Sequence, residues 1–210
     1  MTGNDDPPEL HDYLNESPVL TDPEDQLIDL GDGFTMTSCG WSNRTPGLHR
    51  LPVDRVVLVQ LEVPLPAVSA AIRAAAMAED TRVVLKPAPA RPLPPELTDL
   101  VDVIVPNQAE LARLGGGEIA GLADTVRIAS ALPGHSDVIV TLGKDGALVV
   151  PRSGSPAVIA APLVDVVDTT GAGDCFCGTL AVTLADGMRL TEAARWSVAA
   201  AALSTTGRGA

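Results

Sequence analysis

Strand-length apolar runs alternate with longer Ala- and Leu-rich segments through residues 51–210. The runs end at Pro, Gly or polar residues, as buried strands do, and the segments between them are long enough for helices. The pattern predicts strands at 56–61, 81–86, 101–105, 137–141, 147–150 and 157–161, and helices at 66–78, 107–114, 122–132, 173–184 and 191–205. Because strands and helices alternate, we expect an α/β protein, a three-layer α/β/α sandwich with a mainly parallel, Rossmann-like sheet.

The first fifty residues follow a different pattern. They lack sustained periodicity, are rich in Asp, Glu, Pro and Gly, and contain ten acids but no Lys or Arg up to residue 32. This composition is typical of irregular or disordered chain, although residues 24–30 are compatible with a short helix. We therefore divide the chain into an acidic, mostly irregular segment, 1–50, and a folded domain, 51–210.

Composition and charge narrow the class of protein. Aromatic residues make up only 2% of the chain, so Ala, Val and Leu must build the core. The net charge is −13, and no basic surface for nucleic acid is evident. There is no apolar run of 18 residues and no leader-like N-terminus, so we expect no membrane partner and a cytoplasmic protein.

Cys175 and Cys177 lie about 200° apart on a predicted helix, which favours packing over metal binding.

A glycine turn opens the predicted helix at 173. The sequence Asp-Thr-Thr-Gly-Ala-Gly-Asp at 168–174 allows backbone N–H groups of Gly171, Ala172 and Gly173 to converge at the positive end of the helix. An anion such as phosphate suits that position. Asp174, next to it, could accept a proton from a hydroxyl group that attacks the phosphate. The alternative is an ordinary helix start with an acid in its first turn.

Three further groups of residues follow predicted strands. Glu62 could accept hydrogen bonds from sugar hydroxyls or be an ordinary rim residue. Asn107 and Glu110 share one helical face and suit phosphate and a hydrated Mg²⁺, or form a capping box. The turn at 141–146 is a hairpin or a nucleotide-binding turn, and it lacks the pattern of a Walker A loop. Because ligands bind at the carboxyl ends of parallel strands, we expect all these groups to form one site.

These motifs, in this order, resemble those of the ribokinase-like carbohydrate kinases, the PfkB family. The matching segments are Gln-Leu-Glu at 60–62, Pro-Ala-Pro-Ala at 87–90, Pro-Asn-Gln-Ala-Glu at 106–110, Thr-Leu-Gly-Lys-Asp-Gly at 141–146 and the turn at 168–174. The resemblance covers about residues 51–210. It implies ATP-dependent transfer of the γ-phosphoryl group to a sugar hydroxyl, with D-ribose converted to D-ribose 5-phosphate and Asp174 as the general base.

The resemblance also implies a role for each site residue. Gly171, Ala172 and Gly173 form the anion hole, and Glu62 and Asp174 contact the sugar. The nucleotide contacts are Asn107, Thr141, Leu142, Gly143, Lys144, Asp145, Gly146, Gly173 and Asp174. Glu110 and Asn107 organise Mg²⁺ through water. A monovalent cation, K⁺, is held by Asp168, Thr170, Ser204, Gly207 and Gly209.

The chain departs from the family pattern at several places. Lys86 stands where the family has Asn before Pro-Ala-Pro-Ala, and Val198 stands where ribokinase has His. We find no counterpart of the family's N-terminal half with its β-lid. The alternatives are therefore a truncated, non-catalytic relative that binds nucleotide or pairs with a full-length subunit, and a kinase for fructose, fructose phosphate or a nucleoside. Exposed apolar edges predict self-association or a homodimer.

Overall fold

The computed structural model describes residues 27–31, 34–37, 56–78 and 81–207, and for 27–31 and 34–37 it describes the backbone alone. Two sheets are present among these residues. In the larger sheet, six strands lie in sequence order: β3 Val56–Gln60, β4 Arg82–Lys86, β5 Val103–Ile104, β6 Asp137–Thr141, β7 Ala147–Val150 and β8 Ala157–Ile159. Strands β3 to β6 are parallel, whereas β7 and β8 are antiparallel to their neighbours. The prediction of a mainly parallel sheet is confirmed.

Helices cover both faces of this sheet. They are α1 Leu65–Ala76, α2 Pro95–Thr98, α3 Gln108–Gly115, α4 Leu122–Ser130, α5 Ala172–Ala185 and α6 Leu190–Ser204. Pro66 lies in the first turn of α1, where its missing N–H costs nothing. Helix α3 is followed by Gly116, which has a left-handed φ of 64° and ends the helix. No helix in the described part of the chain is both long and apolar enough to cross a membrane.

The strand pleat assigns alternate residues to the two faces. On β4, Val84 packs with Phe176 and Leu180 of α5 and with α6, whereas Val83 and Leu85 pack with α1 and α2. Strands β6 and β7 bury their second face against α3 and α4. The expected three-layer α/β/α sandwich is therefore present, and its buried residues are mostly Val, Leu, Ile and Ala.

The prediction for residues 24–30 is wrong where the structure describes them. Residues Leu27–Gly31 form a strand, β1, that pairs antiparallel with β2, Phe34–Thr37. The sequence between the two strands is Asp32-Gly33, and an Asp-Gly pair between apolar residues is a strong hairpin signal. That signal outweighs the weak helical spacing of the segment. The rest of the segment 1–50 lies outside the described residues.

The edge of the sheet bears on the predicted self-association. Strand β3 is an end strand of the six-stranded sheet as described, and its sequence is Val-Val-Leu-Val-Gln. Apolar edge strands favour pairing with another chain. Self-association stays a prediction.

Candidate active site

The parallel strands end at one edge of the sheet, and the predicted site residues follow them there. Gln60 at the end of β3 is in register with Lys86 at the end of β4. An isolated parallel bridge joins Asn107 to Thr141, the last residue of β6. Backbone hydrogen bonds also connect the loops, from Leu61 N to Ala88 O at 2.9 Å and from Thr141 N to Pro106 O at 3.0 Å. Three of the four predicted groups therefore share this edge.

Asn107 and Glu110 form a capping box at the start of α3. Asn107 Oδ1 accepts a hydrogen bond from Glu110 N at 2.8 Å, and Glu110 Oε2 accepts one from Asn107 N at 2.8 Å. The side-chain amide of Asn107 also donates to Glu110 Oε1 at 2.9 Å. The capping alternative raised by the sequence is thus present, and it uses both carboxylate oxygens.

Lys86 adds a positive charge to this capping box. Its Nζ donates to Glu110 Oε2 at 2.8 Å, and the two side chains are 11% and 13% exposed. The pleat places Lys86 on the same face as Val84, two residues earlier on β4, which is the face that α5 covers. The ion pair therefore joins the strand end, the start of α3 and the neighbourhood of α5.

These contacts do not suit Glu110 as a direct ligand of Mg²⁺. The carboxylate already accepts three hydrogen bonds, one of them from an ammonium group. A hydrated ion fits better, because Mg²⁺ retains several waters and Glu110 Oε1 has a lone pair left for one of them. Among the residues that the structure describes, no cluster of three His, Cys, Asp or Glu side chains could hold a metal.

The glycine turn before α5 is built differently. Gly171 has a left-handed φ of 74° and precedes the helix without a side-chain cap. Ala172 N donates a long hydrogen bond to Thr169 O at 3.3 Å, whereas Gly173 N has no acceptor among the described residues. Space around Gly173 is open. Gly171 N likewise has no acceptor among the described residues, so the predicted anion hole contains two N–H donors available to a ligand and one that is weakly engaged.

Asp174 lies in the first turn of α5 with its side chain exposed. No hydrogen bond or ion pair to this carboxylate is found within the described part of the chain. A carboxylate without a protein donor keeps its lone pairs for a substrate hydroxyl. It does not point into the packed core, so the geometry permits the predicted role as a proton acceptor.

Cys177 relates Asp174 to the capping box. The thiol is one turn after Asp174 on α5 and is buried. Burial raises the pKa of Cys177 from 9.0 to about 12; the nearby charge of Lys86 lowers it, and those of Asp174 and Glu110 raise it. All three charged side chains therefore lie around one thiol, which brings the fourth predicted group to the same edge of the sheet.

The predicted nucleotide turn follows β6. Residues Gly143–Asp145 form a 3-10 turn that is closed by a hydrogen bond from Leu142 N to Gly146 O at 2.8 Å. Gly146 has a φ of 95°, and a side chain there would collide with the backbone carbonyl of Ile159. Lys144 and Asp145 form an exposed ion pair at 3.7 Å. The glycine at 146 is required by the fold, and the exposed turn before it is open to a ligand.

The remaining predicted residues lie at two places. Glu62 is exposed just after β3. Asp168 Oδ1 accepts from Thr170 N at 2.9 Å, and the carbonyl of Thr205 accepts from the N–H groups of Val167 and Asp168 at 2.7 and 3.1 Å. The end of α6, which includes Ser204 and precedes Gly207, therefore lies against the glycine turn. Gly209 lies outside the described residues.

Two observations go beyond the sequence-based assignments. The sequence marks Lys86 as unusual but gives it no role, although a charged residue that ends a buried strand is itself a signal of a partner or a ligand. An open cleft of about 980 Å³ contains none of the predicted site residues. It is lined by Asp137, Pro151, Ser153, Arg189, Leu190, Thr191, Glu192, Arg195, Trp196 and Ala199. Asp137 begins β6, so this cleft lies at the opposite end of that strand.

Known proteins resemble this chain in both sequence and structure. A ribokinase of Haemophilus influenzae is 40% identical over 156 residues, which cover 73% of this chain and 50% of the relative. A ribokinase of Staphylococcus aureus is 40% identical over 125 residues, 58% of this chain and 40% of the relative. The chain thus spans half or less of the length of these curated relatives.

Solved structures and a family model also match the chain to carbohydrate kinases. Ribokinase from Thermotoga maritima matches with a TM-score of 0.64 and 31% identity, over 74% of this chain and 51% of that one. Arabidopsis thaliana ribokinase, solved with ribose and ATP, matches with a TM-score of 0.65 and 31% identity over the same shares of the two chains. The family model described as pfkB family carbohydrate kinase matches residues 51–210. The chain therefore belongs to the pfkB family of carbohydrate kinases.

Proposed function

We propose that this protein is an ATP-dependent carbohydrate kinase that transfers the γ-phosphoryl group of ATP to D-ribose and forms D-ribose 5-phosphate. The observation that carries the proposal is the first turn of α5, where an exposed carboxylate, Asp174, stands beside the N–H of Gly173. Relatives named ribokinase, one of them solved with ribose and ATP, support ribose as the sugar. Residues 51–210 are proposed as the kinase part and 1–50 as a separate acidic segment.

In the proposed reaction, the oxygen of the sugar's primary hydroxyl attacks the γ-phosphorus. Asp174 accepts the hydroxyl proton, an oxygen–phosphorus bond forms, and the bond to the leaving ADP oxygen breaks. The Gly173 N–H and the positive end of α5 stabilise the charge on the transferred group. Ala172 N contributes if its 3.3 Å hydrogen bond to Thr169 O is exchanged for the ligand.

Other residues hold the two substrates. The turn at 141–146 contacts the nucleotide, and Glu62 accepts hydrogen bonds from sugar hydroxyls. Bound Mg²⁺ would supply positive charge that offsets the charge of the phosphates, and Glu110 and Asn107 would hold it through water. K⁺ is proposed beside the glycine turn, held by Asp168, Thr170 and the carbonyls of Ser204, Gly207 and Gly209, because the end of α6 contacts that turn.

A direct assay tests the proposal. Purified protein is incubated with ATP, Mg²⁺ and D-ribose, and ribose 5-phosphate and ADP are measured. Asp174→Asn should lower kcat by at least about 100-fold, the lower end of general-base contributions. The matched control is Asp186→Asn, an exposed acid at the other end of α5, which should retain activity within about 2-fold.

The outcomes separate the proposed function from its alternatives. Equal rates for Asp174→Asn and the unaltered protein would remove Asp174 from the mechanism. ATP binding without any sugar phosphate would support a non-catalytic relative. Faster phosphorylation of fructose, fructose phosphate or a nucleoside than of D-ribose, compared as kcat/KM, would replace ribose as the substrate.

A further inference from the structure

Lys86 carries a charge that the capping box does not need. The box is complete with the hydrogen bonds between Asn107 and Glu110, so α3 would be capped without a lysine. The Lys86 side chain is nevertheless only 11% exposed, and a buried ammonium is costly unless it is paired and fully hydrogen-bonded. A structural role for Glu110 therefore leaves the presence of Lys86 unexplained.

The ammonium group has donors to spare. A lysine Nζ carries three N–H groups, and the one described contact of this Nζ is with Glu110 Oε2 at 2.8 Å. Among the described residues, no other acceptor for it is found. The remaining donors therefore require water or a ligand that accepts hydrogen bonds.

Lys86 supplies positive charge beside the carboxylates of Glu110 and Asp174, and this positive charge favours an anionic ligand. Lys86 contacts Glu110 at 2.8 Å and lies on the face of β4 that packs against α5, the helix that carries Asp174. With the lysine, the formal charges of these three side chains sum to −1; without it, they would sum to −2 where a polyanionic nucleotide is proposed to bind. Unlike charges attract most strongly at short range and with little water between them. An ammonium group that is largely shielded from solvent is therefore well suited to bind an anion.

We propose that Lys86 is a phosphate-binding residue whose two remaining N–H donors contact phosphate oxygens of the nucleotide. The inference rests on the proposed nucleotide binding and adds a residue to it. Because this positive charge belongs to the protein, ATP should bind measurably even when divalent metal is removed. Lys86 thus makes nucleotide affinity less dependent on Mg²⁺ than a neutral residue would.

Calorimetric titration with ATP tests the proposal, once in EDTA and once with excess Mg²⁺. Lys86→Met should weaken binding in EDTA by at least about 10-fold, the effect of one lost charge-assisted hydrogen bond, and by a smaller factor with Mg²⁺. Lys86→Arg should stay within about 3-fold of the unaltered protein. The matched control is Arg82→Met, which removes one charge from the exposed opposite end of β4 and should change affinity by less than about 2-fold.

Lys86→Met alone leaves the Glu110 carboxylate without its ion-pair partner. A second pair of variants tests Lys86 without this side effect. In Glu110→Gln the capping box can persist, because Gln also serves at this position, and the lysine is released from its partner. ATP affinity in EDTA should therefore be unchanged or higher. Lys86→Met combined with Glu110→Gln leaves no buried carboxylate unpaired, yet it should bind ATP in EDTA at least about 10-fold more weakly than Glu110→Gln alone.

The outcomes distinguish this inference from the proposed function. If the unaltered protein binds ATP but the double variant and Glu110→Gln bind it equally well, Lys86 is a structural partner of Glu110 and the inference is overturned while the kinase proposal stands. If the unaltered protein binds no ATP with or without Mg²⁺, both are overturned. A selective loss of metal-free binding supports the inference.

Discussion

Helices α3 and α5 both begin near the carboxyl edge of the sheet with an acid in the first turn, but the two turns differ in how their polar groups are satisfied. At α3, Glu110 accepts three hydrogen bonds and is mostly buried. At α5, Asp174 is exposed and its helix begins at a left-handed glycine without a side-chain cap.

The difference shows which of the two helix starts stabilises the fold through its side chains and which one can bind a ligand. A helix start whose donors are satisfied by side chains is a structural element, since capping stabilises a helix by about 0.5–2 kcal/mol. A helix start with an available N–H and a solvated acid gains little stability but can receive a ligand. Variants of the polar side chains at the two turns should therefore change different properties of the protein, whereas a backbone change at either turn affects stability.

The largest effect on stability is expected at the α5 turn, from its backbone. Gly171→Val forces a β-branched residue into a left-handed conformation and should lower the free energy of unfolding by about 1–3 kcal/mol. Gly173→Ala is the control, because the space around Gly173 is open; its free energy of unfolding should not fall. Urea denaturation measures both, and equal losses would contradict this account of the turn.

The next effect is expected at the α3 turn, from its side chain. Asn107→Ala removes the N-cap and one donor to Glu110, so it should lower the free energy of unfolding by about 1–2 kcal/mol. Gln108→Ala, at the next and exposed position, should change it by less than about 0.5 kcal/mol. If thermal or urea unfolding gave the same midpoint for both variants, the capping box would not stabilise α3.

Asp174 should show a smaller effect on stability than either of these residues. Asp174→Asn is expected to change the free energy of unfolding by no more than about 0.5 kcal/mol, as exposed substitutions usually do, despite its predicted loss of activity. Urea unfolding monitored by circular dichroism checks this. A loss as large as that of Asn107→Ala would show that Asp174 is a capping residue and would erase the difference between the two turns.

The smallest expected effect concerns the reactivity of the Cys177 thiol, which lies between the two turns. Its pKa of about 12 keeps the thiol protonated at pH 8, so in a Cys39→Ser, Cys175→Ser protein it should resist a disulfide reagent until urea is added. The folded pKa is raised above 9.0, so this thiol's contribution to stability is present below pH 9 and is lost as pH rises toward 12. Rapid labelling of the native protein at pH 8 would contradict the burial.

Most of the sandwich could be predicted from the sequence, because apolar periodicity reflects burial directly. All six strands of the larger sheet are predicted within a few residues, as are the five longer helices. The β1–β2 pair is not predicted, because the spacing of residues 24–30 is also compatible with a helix and hides the Asp-Gly turn signal. The motifs at 107–110, 141–146 and 168–174 were identified because glycine turns and acids after strands carry recognisable patterns.

The order of elements, the motif positions and the family resemblance were therefore determined by the sequence alone. Only the tertiary structure decided that Glu110 is already satisfied, that Lys86 is its ion-pair partner and that Asp174 is exposed. Those facts depend on contacts between β4, α3 and α5. Lys86 and Glu110 are 24 residues apart in the sequence, and both are still farther from α5. Local patterns cannot report such contacts, because hydrogen bonds and desolvation depend on what the fold brings together.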